Sequence, residues 1–277
     1  MAGQGMMEKK KKVRLDAYLV DQGFFETRSK AQAAIMAGQV LADDQKIDKP
    51  GTSVKEGTKI RILGEQLRYV SRGGLKLEKA LQVFPLSVTG KVMADVGAST
   101  GGFTDCALQN GAVRVYAIDV GYGQLAWKLR NDPRVINMER TNARALDETS
   151  LPEPMEAVSI DVAFISLDKI LPAVKKILAP GGFVIALIKP QFEAGKENIG
   201  KKGVVRDAAV HKEVIRKVTD FARATGFGIG GLDFSPVKGP EGNIEYLLYL
   251  TADAAEAPND VGIDIDMLVE RSHNELD

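Results

Sequence analysis

Four charged residues far apart in the chain, Lys76, Asp161, Lys189 and Glu245, are of the types needed to take a proton from a weak nucleophile. A lysine accepts a proton only when its pKa, normally about 10.4, is lowered by burial or by a neighbouring cation. Two lysines held together would supply that repulsion, and two acids would orient them; the alternative is a pair of structural ion pairs at a sheet edge. A second group is suited to holding a ligand. Lys91–Val96 reads as a buried strand with Asp95 near its end, followed by the turn Gly97-Ala98-Ser99-Thr100-Gly101-Gly102-Phe103 into a helix. Glycine lets backbone approach a ligand closely, because it lacks a Cβ and accepts positive φ. The spacing matches neither the dinucleotide fingerprint nor a P-loop, which needs Lys-Ser/Thr. About twenty residues on, Val113–Asp119 forms a second strand whose terminal Asp119 is placed to accept hydrogen bonds from ribose hydroxyls. The alternative is an αβ turn with a capping acid and no ligand.

These residues need a sheet to bring them together. From Lys91 onward strand and helix patterns alternate, which predicts an α/β, doubly wound sheet. Later strands are expected at Val135–Met138, Val158–Val162, Phe183–Pro190, Gly230–Val237 and Ile244–Leu250, making seven. In an open α/β sheet ligands bind beyond the carboxyl ends of the parallel strands. Asp161 and Lys189 sit at two such ends. The last strand follows the short turn Gly239–Asn243, so it should run antiparallel and begin, with Glu245, at the same edge. Lys76 lies early in an amphipathic helix from Gly74, whose Leu77, Ala80, Leu81 and Phe84 face the core. The short helix Gln124–Arg130 carries the single tryptophan, Trp127, read as a packing residue. A long Gly- and Lys-rich loop, Gln191–Arg206, is of a length that usually serves function or is disordered.

Ahead of this lies a smaller α+β unit, residues 13–63. Leu15, Leu19 and Val20 share a helix face ended by Gly23; a second helix, opened by Thr27-Arg28-Ser29-Lys30, buries Ala31, Ala34 and Ile35 and ends at Gly38. Short strands follow at Gln39–Ala42 and Lys59–Leu63. Residues 64–73 read as a linker, 74–251 as the larger domain and 252–277 as an acidic tail.

The 277 residues have formal net charge zero, but residues 1–80 hold 16 Lys/Arg against 10 Asp/Glu, and residues 252–277 hold 1 against 8. A basic end on a balanced body suits a polyanionic partner; a solvated lysine tail is the alternative. No apolar run approaches the roughly 20 residues of a membrane-spanning helix. The polar Met1–Lys12 segment lacks the apolar core of a signal peptide, so a cytoplasmic protein is expected. One cysteine, Cys106, excludes an internal disulfide and a cysteine zinc site, and two histidines are too few for a histidine-rich metal site, so no metal is expected.

The turn from Asp95 to Phe103 resembles the first motif of S-adenosylmethionine-dependent methyltransferases. That resemblance implies S-adenosyl-L-methionine as cofactor, held by Asp95, Gly97, Ser99, Thr100, Gly101, Gly102, Phe103 and Asp119. Asn142, in the loop after the third strand, would line an adenine pocket. The small unit, with Arg14-Leu15-Asp16, Arg28-Ser29-Lys30-Ala31-Gln32, the Gly-x-Val strand and the Lys49-Pro50 turn, resembles the S4-like (alpha-L) RNA-binding domain. There Arg14, Arg28 and Lys30 would face RNA phosphates, joined by Arg72 on the approach to the next helix. The order Lys76, Asp161, Lys189, Glu245 resembles the tetrad of FtsJ-like ribose 2′-O-methyltransferases. Ser71-Arg72-Gly73-Gly74-Leu75-Lys76-Leu77, the Asp95–Asp105 stretch, Asp119-Val120-Gly121-Tyr122-Gly123-Gln124-Leu125 and Leu187-Ile188-Lys189-Pro190-Gln191-Phe192-Glu193 extend the likeness to the TlyA family. It spans about Val13 to Leu250. Members are rRNA cytidine-2′-O-methyltransferases, often labelled hemolysins. The resemblance implies a Rossmann-like methyltransferase sheet, ribosomal RNA or ribosomal subunits as partner, Lys189 as base or hydroxyl-orienting group with Asp161 holding it, and Lys76 and Glu245 positioning the ribose.

Three other readings compete with this one. A non-catalytic RNA-binding ribosome factor on the same fold would not need the lysines and acids. A cytolysin finds no membrane span, signal sequence or strongly amphipathic cationic helix. A pseudouridine synthase needs its catalytic Asp in an Arg-Leu-Asp context, and the triplet here, Arg14-Leu15-Asp16, belongs to the small unit's first helix.

Overall fold

The structure is a computed structural model that describes residues 12–36, 38–43, 45–63, 68–256 and 263–276. It divides into two units, residues 1–68 and 69–277. The lysine run up to residue 11 and residues 64–67 lie outside the described residues.

The first unit runs β1 (Lys12–Arg14), α1 (Leu15–Asp21), α2 (Arg28–Met36), β2 (Val40–Ala42), β3 (Gln45–Ile47), β4 (Ser53–Lys55) and β5 (Ile60–Ile62). Strand β2 pairs antiparallel with β3 and β5, and β1 with β4. Leu15, Leu19, Ala31 and Ile35 are fully buried where the two helices meet. The sequence reading missed β1, β3 and β4, each with a single apolar residue, where β2 and β5, equally short, hold three and two.

The second unit contains α3 (Gly73–Val83), β6 (Val92–Val96), α4 (Gly102–Gln109), β7 (Arg114–Ile118), α5 (Trp127–Arg130), β8 (Val135–Met138) and β9 (Met155–Ile160). It continues through α6 (Leu171–Ile177), β10 (Leu178–Ile188), α7 (Pro190–Glu193), α8 (Ala208–Ala224), β11 (Gly228–Phe234), β12 (Tyr246–Thr251) and α9 (Ile265–Leu276). Its sheet has seven strands in the order β11-β12-β10-β9-β6-β7-β8. Neighbours pair parallel except at β12, which runs antiparallel to both β10 and β11, as the short turn before it requires. This is the α/β, doubly wound, mostly parallel architecture expected.

Successive strand residues point to opposite faces, so the sheet builds two cores. Val96, Ile118, Ile160, Ile188 and Tyr246 face α6, α8 and α9, while Met93, Val115, Ala117, Ile185 and Leu247 face α3 and α4. Cys106 is buried in the second core, where it packs against the sheet. Trp127 is not a packing residue: it is 73% exposed at the start of α5, which buries Leu129 instead. Four residues make one helical turn, so the helix has too little surface to bury both. Residues in the stretch read as a linker are built into this unit, with Tyr69 buried and the Val70 N–H donated to Asp105 at 2.8 Å. Within the acidic tail, α9 packs on the first core through buried Leu268 and Val269, its acids facing outward. No helix among the described residues is long and apolar enough to cross a membrane.

Candidate active site

The strand order reverses between β6 and β9, where a crevice opens beyond the carboxyl ends. Gly97 follows β6 and Asp161 follows β9. The Asp161 N–H extends the pairing by donating to the Val96 carbonyl at 2.9 Å, which fixes the backbone that carries the carboxylate. Gly97 has φ +84°, and a Cβ there would lie 2.4 Å from the Asp161 carbonyl oxygen. Both the conformation and the contact demand glycine.

Each member of the charged set reaches this crevice from a different element. Lys189 follows the buried run of β10, and Pro190 at the first position of α7 turns the chain away. Lys76 sits in the first turn of α3. That helix lies close to α4 because its residues 73 and 74 and the facing Gly102 lack side chains: a Cβ on Gly102 would meet the Gly74 nitrogen at 2.8 Å. Glu245 precedes β12 and is 1% exposed. Together they form a chain of contacts. Glu245 Oε2 lies 2.6 Å from Lys76 Nζ, Lys76 Nζ 3.6 Å from Asp161 Oδ2, and Asp161 Oδ1 2.5 Å from Lys189 Nζ. The lysine side chains are 9% and 11% exposed, so these pairs are poorly screened. Burial pushes the Lys76 ammonium down, but Asp161 and Glu245 together outweigh it and its pKa is raised. Lys76 is thus a fixed cation, and the mutual lowering expected from sequence does not hold for it. The other Glu245 oxygen, Oε1, is buried without a hydrogen-bond partner, and Gly239 leaves it room.

Two adjoining cavities share Gly97, Ser99, Asp161 and Ala163. One, about 360 Å³, is lined by Arg72, Lys76, Thr100, Gly102, Phe103 and Lys189. The other, about 330 Å³, is lined by Asp119, Val120, Asn142, Ile165 and Ile170. Ser99, with φ +48°, donates its N–H to Asp119 Oδ2 at 2.8 Å, and the Gly121 N–H donates to Oδ1 at 2.7 Å. Gly101, at φ +96°, caps α4 behind the cavity wall, where a Cβ would strike Leu129.

Asp95 does not line either cavity. It is fully buried; one oxygen accepts from the Thr104 N–H at 3.0 Å and hydroxyl at 2.7 Å, the other from the Ser159 hydroxyl at 2.9 Å. Burial raises its pKa to about 6, against those bonds, which lower it. It holds the turn and acts on any ligand only through it. In the first unit Asp16, also fully buried, accepts from Arg14 at 3.1 and 3.0 Å, from Arg28 at 3.0 Å and from Gln32 at 2.8 Å. These bonds, Arg14's foremost, hold its carboxyl far below the usual range. Both guanidinium groups remain about half exposed. Lys30 pairs with Glu26 at 2.5 Å.

Sequence reasoning missed Phe164, whose ring is 92% exposed at the cavity rim, on backbone with φ +63° and 5.1 Å from the Phe192 ring. Its apolar context, Val162-Ala163-Phe164-Ile165, looks like buried chain. The long loop Gln191–Arg206 is fastened rather than loose: Asn243 accepts the Val205 N–H at 2.9 Å and donates to the Gly203 carbonyl at 2.9 Å.

Two family models match the chain: the FtsJ-like methyltransferase over residues 69–252 and the S4 domain over residues 13–60. YqxC of Bacillus subtilis, which carries the name of an rRNA methyltransferase, is 56% identical over 87% of this chain and 86% of its own length. The 16S/23S rRNA (cytidine-2′-O)-methyltransferase TlyA of Mycobacterium tuberculosis is 41% identical over 92% of this chain and 95% of its own. A solved structure from Streptococcus thermophilus, described as a hemolysin, is 51% identical, with TM-score 0.75 over 95% of this chain and 96% of that one. The chain belongs to the TlyA family of FtsJ-like methyltransferases, with an S4 domain in front.

Proposed function

We propose that this protein transfers a methyl group from S-adenosyl-L-methionine to the ribose 2′-hydroxyl of a cytidine in ribosomal RNA. The observation that carries the reading is the buried chain Glu245–Lys76–Asp161–Lys189 opening onto a cavity continuous with the glycine turn.

The cofactor fits the residues present. The paired cavities share a wall at Gly97, where only hydrogen fits, and the second combines the Asp119 carboxylate with apolar Val96, Ile118 and Ile165. Asp119 would hold the ribose hydroxyls, and Asn142 and the apolar residues the adenine. When bound, the cofactor supplies a methyl carried on a positively charged sulfur. The chain's own residues do the rest. Lys189 Nζ would orient the 2′-hydroxyl toward the methyl and receive its proton as the methyl is transferred. Asp161 holds Lys189, and Lys76, kept charged by Asp161 and Glu245, positions the ribose. In-line placement of the hydroxyl supplies much of the acceleration. The exposed Phe164 ring offers a stacking face for a base drawn out of its helix.

For the small unit, Arg14, Arg28 and Lys30 are assigned to RNA phosphates; Arg72, in the second unit at the start of α3, is assigned to a phosphate beside the cavity it lines. The family model for an S4 domain and the basic first 80 residues support that assignment.

The test is chemical. A 2′-O-methyl group blocks alkaline cleavage of the adjacent phosphodiester, whereas a base methyl does not. Methyl-labelled cofactor and unmethylated ribosomal subunits should give label in alkali-resistant dinucleotides that begin with cytidine. Label confined to mononucleotides would overturn the assignment to ribose.

A further inference from the structure

Beside the charged set, one buried carboxylate fastens together two loops that leave neighbouring strands. The first loop leaves β9 at Asp161 and leads to a single 3-10 turn, Leu167–Lys169; the second leaves β10 at Lys189 and enters α7. Glu193, the last residue of α7, is 6% exposed. Its Oε2 accepts the Ser166 hydroxyl at 2.6 Å, and its Oε1 accepts the Leu167 N–H at 2.7 Å.

A buried carboxylate is costly unless hydrogen bonds satisfy both oxygens. Here both bonds cross from one loop to the other; neither lies within an element. Lys217 on α8 approaches but donates to the Glu193 backbone carbonyl at 3.0 Å, so among the described residues the carboxylate has hydroxyl and amide donors and no ion pair in contact. Its pKa is raised, burial being the largest cause, with Asp168 adding to the rise and Ser166, Leu167 and Lys217 opposing it.

The same two loops carry the 2.5 Å contact between Asp161, five residues before Ser166, and Lys189, four residues before Glu193. A misplacement of one ångström in a catalytic pair costs about a hundredfold in rate. We propose that Glu193 is a positioning residue for methyl transfer: its carboxylate locks the Asp161 loop to the Lys189 segment and so sets the spacing of the pair. This rests on the roles assigned to Asp161 and Lys189 above.

The test compares the unaltered full chain with Glu193→Ala, Glu193→Gln, Ser166→Ala and the Glu193→Ala/Ser166→Ala double variant. Glu193→Ala should lower kcat at least roughly tenfold, with the Kd for S-adenosylmethionine and the KM for RNA each within about twofold, and amide exchange at Leu167 should quicken. Glu193→Gln should recover most of the kcat, because its carbonyl accepts the Leu167 N–H and its amide donates to the Ser166 hydroxyl. Ser166→Ala should add no further loss in the Glu193→Ala background. Unchanged kcat in Glu193→Ala, a Gln variant as slow as Ala, or additive losses would overturn the proposal. Should the Ala variant fail to fold, the Gln and Ser166→Ala variants carry the same comparison. No transfer by the unaltered protein would instead overturn the reaction assignment, and Leu167 exchange would still decide whether the lock exists.

Discussion

At the scale of single residues, burial decides what each charged group can do. Asp95 and Asp161 both close strands in the same crevice, yet Asp95 is sealed behind Thr104 and Ser159 while Asp161 faces two lysines. Sequence position does not separate them, because both read as an acid at a strand end. Lys76 has no local signal either: a lysine in an amphipathic helix is ordinarily at the surface, and only its pairing with a residue 169 positions away buries it. The folded pKa of Asp95, about 6, lies above the usual value of 3.8. Its contribution to stability is therefore fully present below about pH 4 and is lost as pH rises through about 6. By linkage the loss is on the order of 2–3 kcal/mol. Asp95→Asn removes the charge while its carbonyl can still accept both Thr104 bonds and its amide can donate to the Ser159 hydroxyl. Thermal or denaturant unfolding from pH 4 to pH 7 should show the variant gaining on the unaltered protein by about that amount. A flat difference, or one of opposite sign, would mean that Asp95 is not held against its charge.

At the scale of elements, the strands of the seven-stranded sheet were legible and the loops were not. Long apolar runs such as Phe183–Ile188 announce themselves, and the reversed direction of β12 follows from the short turn before it. The start of β10 did not: Pro180-Gly181-Gly182 reads as a turn but forms part of an 11-residue strand, where β10 shifts register against β9 between Leu178 and Phe183. The lock by Glu193 and the exposed Phe164 were equally hidden, since each depends on which loops the strand order makes neighbours. The glycine turn was legible because its chemistry is local. Gly97→Ala would place a methyl 2.4 Å from the Asp161 carbonyl oxygen on backbone that disfavours any side chain. It should destabilise the protein by about 1–3 kcal/mol and lower kcat/KM at least roughly tenfold, by displacing Asp161. Unfolding and turnover measured on one preparation check both, and a variant with ordinary stability and activity would contradict the geometry.

At the scale of the whole molecule, the chain joins an S4 domain to an FtsJ-like methyltransferase domain. Composition hinted at this through the basic first 80 residues, but a charge count could not say which cations are free. Asp16 answers for two of them: it fixes Arg14 and Arg28 side by side while leaving each half exposed, so the pair is held ready at the expense of one positive charge. Arg28→Ala with Lys30→Ala should weaken RNA binding and flatten its dependence on salt by roughly 0.7–0.9 in log–log slope for each cation that meets a phosphate. An unchanged slope would remove the small domain from the RNA interface.

The most direct measurement is methyl transfer from labelled S-adenosylmethionine to unmethylated ribosomal subunits, with Lys189→Ala run beside the unaltered protein and cofactor affinity measured for both. The account predicts ribose-bound label with the unaltered protein, a fall in turnover of at least roughly a hundredfold in the variant, and a cofactor Kd within about twofold. A variant that still turns over, or one that loses cofactor affinity along with activity, would contradict the role given to Lys189.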